Sequence, residues 1–238
     1  RFPHLEPTLW WIFSEMQLTL TLSGSGMQLL LLVSSLLLWE NVSSKPTAMV
    51  PTDDLYTRLA ELSHNTFILA ADVYREFDLD FFDKTWITDR TLPLCHTASI
   101  HTPENREEVH EIKTEDLLKA MINVSISWKE PLKHLVSALT ALPGASESMG
   151  KKAADIKGRN LIILEGLQTI YNRTQANIEE NENFDYPAWT GLEELQSPNE
   201  DTHLFAVYNL CRCIKRDIHK IDSYIKVLRC RVVFQNEC

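Results

Sequence analysis

The chain has 238 residues, enough for one or two domains, and its 44% hydrophobic and 24% charged residues are typical of a soluble globular protein. It has only 7 glycines and contains neither G-x-G-x-x-G nor G-x-x-x-x-G-K-[ST], which excludes the common phosphate-binding loops. A net charge of −10 disfavours binding to duplex nucleic acid, because its phosphates attract basic proteins.

The N-terminal region is predicted to be a targeting signal and not part of the fold. Residues 1–15 contain no methionine and are expected to precede the true start at Met16. Residues 16–44 are expected to be a secretory signal peptide, because the apolar run 29–39 is too short to cross a membrane. The segment lacks the usual Lys or Arg, and an uncleaved anchor or a buried helix is the alternative. Residues 45–238 are then expected to be secreted, extracellular and not inserted in a membrane.

Four amphipathic helices are predicted, because apolar residues recur every three or four positions. Their approximate ranges are 52–78, 114–142, 151–172 and 201–228. Pro131 falls inside the second helix and is expected to kink it. The fourth helix has the clearest apolar stripe, formed by Val207, Cys211, Ile214, Ile218, Ile221, Ile225 and Leu228.

The connections between these helices predict their topology. About 35 residues separate the first two helices and about 28 separate the last two, whereas about eight join the second to the third. A short connection joins antiparallel neighbours, while two parallel neighbours need a long crossover. The fold is therefore predicted to be all-α, a four-helix up-up-down-down long-chain cytokine bundle with two long crossovers.

All five cysteines lie in residues 45–238, at Cys95, Cys211, Cys213, Cys230 and Cys238. An odd number in a secreted chain predicts two bridges and one leftover thiol, or pairing with another chain. Cys230 and Cys238 enclose a short C-terminal loop, which favours a bridge between them. Cys211 lies on the core stripe and is expected to be a free, buried thiol, whereas Cys213 lies about 200° around the helix. Cys213 is therefore predicted to pair with Cys95.

Four long motifs in the chain resemble the prolactin/growth hormone (somatotropin) family, including its placental lactogens. They are CHTASIHTPENREE from Cys95, SWKEPLKHLV from Ser127, ENENFDYPAWTGLEELQ from Glu180, and YNLCRCIKRDIHKIDSYIKVLRCRVVFQNEC from Tyr208. The resemblance implies a monomeric four-helix hormone that binds and dimerises a single-pass cytokine receptor, the prolactin receptor, with two receptor copies per hormone. It also implies both predicted bridges, but the further N-terminal bridge of prolactins is missing, because no cysteine precedes Cys95 in residues 45–238.

One face of the fourth helix is a candidate for the first receptor site. Moving the core stripe by one residue gives a second continuous row, formed by Tyr208, Arg212, Lys215, His219, Asp222 and Lys226. Tyr, Arg and His together are typical of binding hot spots, although a solvated charged helix face is the alternative. The resemblance implies a first site made of His64, Tyr208, Arg212, Lys215, Arg216, His219, Lys220 and Tyr224.

Two further features are suggested by the resemblance. Zinc could bind at His64, His219 and Asp222. One family ligand is missing, because Phe67 stands where the first helix of other members has a second histidine, and ordinary surface histidines are the alternative. No other cofactor is expected. Gly166 is expected to lie in a second receptor site, with a tolerated packing glycine as the alternative.

Two sequons and the absence of catalytic motifs complete the sequence-based expectations. Asn123 and Asn172 are candidate N-glycosylation sites. The chain has neither H-E-x-x-H nor G-x-S-x-G, so it is not expected to be an enzyme. The rival hypothesis is a secreted family member that binds one receptor without signalling, or that acts on a different receptor.

Overall fold

The computed structural model describes residues 50–83, 85–88, 90–174 and 184–235, and within them all regular structure is helical. The long helices are α1 (Thr52–Phe81), α4 (Thr114–Ser127), α5 (Lys129–Ala141), α6 (Glu147–Thr174) and α8 (Glu200–Val233). Short elements lie in the connections, namely α2 (Thr85–Thr88), a 3₁₀ turn (His96–Ser99), α3 (Arg106–Glu111) and α7 (Leu192–Leu195). The predicted leader and its cleavage point lie outside the described residues.

The helix α8 is stabilised by a capped first turn and a buried apolar stripe. Asn199 caps its first turn by accepting a hydrogen bond from the Thr202 amide at 2.9 Å, and Glu200 and Asp201 lie near the positive end of the helix dipole. Every residue of its predicted apolar stripe is buried. This burial is the main source of stability for an amphipathic helix in a bundle.

Contacts along the helices establish their directions. In α1 and α8, Tyr74 meets Tyr208 at 3.1 Å, whereas His64 meets Lys226 at 3.3 Å, so residues early in α1 contact residues late in α8. These two helices are therefore antiparallel.

The helix α6 is antiparallel both to α1 and to the α4–α5 pair. Its C-terminal Arg173 donates to the carbonyl of Val50 at 2.8 Å, just before α1 begins. Near the start of α6, Gly150 lies against Thr140 at the end of α5, and midway along, Asn160 donates to the carbonyl of Ser125 in α4 at 2.9 Å. Early residues of α6 therefore meet late residues of the α4–α5 pair. The up-up-down-down topology is confirmed, because α1 and α4–α5 run one way while α6 and α8 run the other.

The second predicted helix is two helices, which corrects the expectation of one helix kinked at Pro131. The break is at Trp128, and Pro131 is the third residue of α5. A proline is tolerated in the first helical turn, where backbone N–H groups have no helical partner. The carbonyl of Ser127, which residue 131 would otherwise have bonded, lies 3.2 Å from His96 Nε2. Burial lowers the pKa of His96, so its neutral ring can donate this bond through Nε2.

The predicted Cys95–Cys213 bridge is present, with the two Cα atoms 5.5 Å apart. Cys211 is free and completely buried, as its place on the core stripe predicted. The bridge Cys230–Cys238 stays a prediction, because Cys238 lies outside the described residues. Within the residues that the structure describes, no helix has the length and apolar character needed to cross a membrane.

The free thiol of Cys211 is expected to be unreactive in the native protein. Burial raises its pKa to about 12, so the reactive thiolate is nearly absent at neutral pH. We expect iodoacetamide to alkylate this thiol at least about a hundredfold more slowly in native buffer than in guanidinium. Mass spectrometry of the alkylated protein measures the rates, with Cys211→Ser as the control for labelling elsewhere. Rapid labelling in native buffer would contradict the buried position.

Candidate functional site

A groove of about 670 Å³ runs along the outer side of α8. Phe67 of α1 forms one side, and Pro103 and Glu104 form the other. Both latter residues belong to the first crossover, which is residues 82–113 between α1 and α4. The floor comes from α8 and is basic, since it includes Lys215, Arg216, His219 and Lys220. We call this feature the α8 groove.

The predicted first-site residues divide into exposed and covered side chains. His64 and His219 are exposed, while Arg212, Lys215, Arg216 and Lys220 are half-buried. Tyr208 and Tyr224 have only 4% and 5% of their surface accessible, and Asp222, which lay on the predicted second row, has 3%. The predicted second row is therefore less exposed than expected, because two of its six members, Tyr208 and Asp222, are buried.

The first crossover covers part of the predicted first site through four donors spaced four residues apart on α8. We call them the donor row. The pairs are Arg212 to the Pro93 carbonyl at 2.6 Å, Arg216 to the Thr97 hydroxyl at 2.6 Å, Lys220 to the Thr102 hydroxyl at 2.7 Å, and the Tyr224 hydroxyl to the Pro103 carbonyl at 2.6 Å. Sequence reasoning missed these partners, because helical periodicity carries no information about where an irregular loop lies.

Lys215 and His219 have contacts of a different kind. The Lys215 ammonium lies 4.4 Å from the centre of the Tyr74 ring, and the His219 ring lies 4.8 Å from that of Phe67. Both aromatic partners belong to α1. These two basic side chains therefore join α8 to α1 across the groove floor.

Below the groove, a buried carboxylate joins three segments of the chain. Asp217 is 1% exposed and accepts hydrogen bonds from the Trp128 indole at 2.7 Å, the Thr97 hydroxyl at 2.5 Å and Arg216 Nε at 2.7 Å. Sequence reasoning missed this cluster. The position of Trp128 on a core stripe could have indicated a buried acceptor nearby, because a buried indole N–H needs a hydrogen-bond partner.

The residues proposed for zinc do not fit a metal site. His64 lies 3.5 Å from Asp222, but the Lys226 ammonium lies 2.7 Å from the same carboxylate and 3.3 Å from His64 Nδ1. A cation therefore already occupies this position. No group of three His, Cys, Asp or Glu residues among the described ones could hold a metal ion.

Gly166 lies where α1 and α6 approach closely. A Cβ atom at this position would come within 2.6 Å of Leu59 Cδ2, so the glycine is needed for packing. It also lines a shallow groove of about 240 Å³, together with Leu62, Ile162 and Glu165. We call this feature the Gly166 groove. The two sequence-based hypotheses for this residue are thus compatible with each other.

The two sequons differ in their surroundings. Asn172 is exposed near the C-terminal end of α6. Asn123 is half-buried in the middle of α4, and its side-chain oxygen is buried without a hydrogen-bond partner. Asn172 is therefore the more accessible of the two asparagines, and glycosylation at either stays a prediction.

Comparison with known proteins gives one consistent result. Residues 31–238 match the model of the somatotropin hormone family. The chain is 96% identical over 224 residues to Prolactin-3D1 of Mus musculus, in an alignment that covers 94% of this chain and 100% of that relative. It is 74% identical to Prolactin-3D1 of Rattus norvegicus, with 94% and 98% covered, and 46% identical to Prolactin-3B1 of Mesocricetus auratus, with 94% and 100% covered.

Proposed function

Because this chain belongs to the somatotropin hormone family, a family of hormones and not of enzymes, we propose that it is a secreted lactogen that binds and dimerises the prolactin receptor. Its motifs are similar to those of placental lactogen I, and its 96% identity to mouse Prolactin-3D1 agrees with that resemblance. The proposed complex holds one hormone and two receptors, and receptor dimerisation starts cytokine-receptor kinase signalling.

The α8 groove is the observation that carries this proposal. It offers an apolar side at Phe67, exposed His219, and a basic floor on a chain whose net charge is −10. A local basic patch of this kind would steer an acidic receptor surface toward the groove. We propose Lys215 and His219 as its direct receptor contacts, with His64 at the edge.

The Gly166 groove is proposed as the second receptor site. It lies on α1 and α6, whereas the first lies on α8, the first crossover and the outer side of α1. Two separate faces would let one hormone bring two receptors together.

The stoichiometry of the complex tests the proposal. We expect the hormone, purified from the medium of mammalian cells, to form a 1:2 complex with the prolactin receptor ectodomain in a light-scattering titration, with the growth hormone receptor ectodomain as control. A 1:1 complex would favour the rival, a family member that does not dimerise the receptor. Absence of a complex at micromolar concentration would contradict this receptor assignment.

His219→Ala tests the first site separately. We expect it to weaken receptor binding by more than about 1 kcal/mol, the scale of a hot-spot residue. The matched control is Lys133→Ala, a basic residue exposed on α5, for which receptor affinity should not change. Surface plasmon resonance measures both, and wild-type affinity in His219→Ala would remove the α8 groove from the site.

A further inference from the structure

We infer that the donor row of α8 (Arg212, Arg216, Lys220 and Tyr224) positions the first crossover as a wall of the receptor groove. This inference rests on the proposed function, because it concerns how the same site is built. It changes the expected role of half of the residues that the family resemblance placed in the first site.

The order of the contacts supports a positioning role. Residues four apart on a helix lie on one line along its surface. Their acceptors follow the same order in the crossover, namely Pro93, Thr97, Thr102 and Pro103. The crossover therefore runs alongside α8 in the same direction. Further along, Arg231 continues the pattern by donating to the Ile112 carbonyl at 3.0 Å.

Burial separates Tyr224, alone in this row, from the proposed contact residues. Tyr224 is only 5% exposed, its hydroxyl already donates to the Pro103 carbonyl, and burial raises its pKa. A receptor side chain cannot reach that hydroxyl without moving the crossover. By contrast, Lys215 and His219 contact aromatic rings of α1, and His219 is exposed.

The first crossover has local structure of its own, and the donor row holds it against the helical bundle. The Asn105 side chain accepts a hydrogen bond from the Glu108 amide at 2.9 Å, and the Glu108 carboxylate accepts one from the Glu104 amide at 2.8 Å. These two hydrogen bonds cap the N-terminal end of α3. Val109 and Ile112 also pack against the core. Loss of one donor should thus loosen the wall without unfolding it.

The functional consequence concerns the rate of association. If the wall samples other positions, only the hormone molecules with the wall in place can bind, and the apparent affinity falls by that fraction. A residue that contacts the receptor directly acts mainly on dissociation instead. The two roles are therefore separable by kinetics.

The test uses the full secreted hormone and two minimal variants. Tyr224→Phe removes one hydroxyl, and Lys220→Met removes one ammonium but keeps the stem. We expect amide hydrogen exchange in peptides covering 98–112 to become about fivefold faster in the free hormone, the size expected for one lost hydrogen bond. We also expect association with the prolactin receptor ectodomain to slow by about two- to fivefold in Tyr224→Phe, which leaves the charge of the groove unchanged. Lys220→Arg, which keeps a donor, should restore slow exchange.

Lys215→Met is the matched control on the same helix. Exchange in 98–112 should stay at the wild-type rate in this variant, while dissociation of the receptor becomes faster. Unchanged exchange in Tyr224→Phe and Lys220→Met would overturn the inference, whatever their effect on receptor binding. If the wild-type hormone bound no prolactin receptor, the proposed function would fail, and exchange in the free hormone would still decide whether these residues position the crossover.

Discussion

Replacing Asp217 with alanine is expected to lower the free energy of unfolding by about 3–5 kcal/mol, the cost typical of breaking a buried charged pair. The change leaves the buried indole N–H of Trp128, the Thr97 hydroxyl and Arg216 without their shared acceptor. Each buried donor that loses its partner carries a desolvation cost of about 1–3 kcal/mol. The effect is large because three segments of the chain, and not one helix, depend on a single carboxylate.

Chemical denaturation followed by circular dichroism measures this loss. Asp155→Ala is the matched control, because Asp155 is exposed on α6, and its effect should stay within about 0.5 kcal/mol. Asp217→Asn keeps one acceptor oxygen and should lose less stability than Asp217→Ala. A loss below about 1 kcal/mol in the alanine variant would contradict the central role of this carboxylate.

Gly166→Arg is expected to give a hormone that binds one receptor and does not signal. The long side chain would fill the Gly166 groove, which has a volume of about 240 Å³, and would push Leu59 from its place. The α8 groove lies on another face and should keep its affinity. Light scattering should therefore report a 1:1 complex, and phosphorylation of the receptor-associated kinase should be lost in responsive cells.

A glycine elsewhere on the same helix supplies the control for this experiment. A Cβ atom at Gly158 would meet nothing within 4 Å, so Gly158→Arg should keep both the 1:2 complex and signalling. Gly166→Ala separates packing from binding, because crowding in a packed core costs about 1–3 kcal/mol and its thermal midpoint records that cost. Full signalling by a folded Gly166→Arg hormone would refute the second site.

Much of the architecture could be predicted from the sequence, because it depends on local periodicity and chain length. The apolar stripe of α8 was predicted residue by residue, since a buried helix face must repeat every three or four positions. The long-short-long connections limited the topology to one arrangement, because a short loop cannot join the ends of parallel helices. Helical phase also distinguished Cys213 from Cys211, and the structure contains the bridge from Cys95 to Cys213.

The break at Trp128 was beyond the reach of periodicity. An apolar stripe continues across a helix break when the two pieces stay nearly aligned. Pro131 indicated a disturbance of the helix, but not that the helix breaks at Trp128. The structure shows that His96, 31 residues earlier, satisfies the Ser127 carbonyl left without its helical partner. A hydrogen bond from a distant loop has no local signature in sequence.

The sequence by itself determined which residues form the helices, which face of each is buried, and the order in which the helices run, since these follow from apolar spacing and connection length. Only the tertiary structure decided what the polar face of α8 does. Periodicity separates the core face of a helix from the rest, but it cannot show where an irregular crossover lies on the remaining surface. The first crossover covers Tyr224 and accepts hydrogen bonds from the donor row, while His219 stays exposed. Each acceptor lies about 120 residues from its donor in the chain, so no local sequence pattern could reveal these contacts.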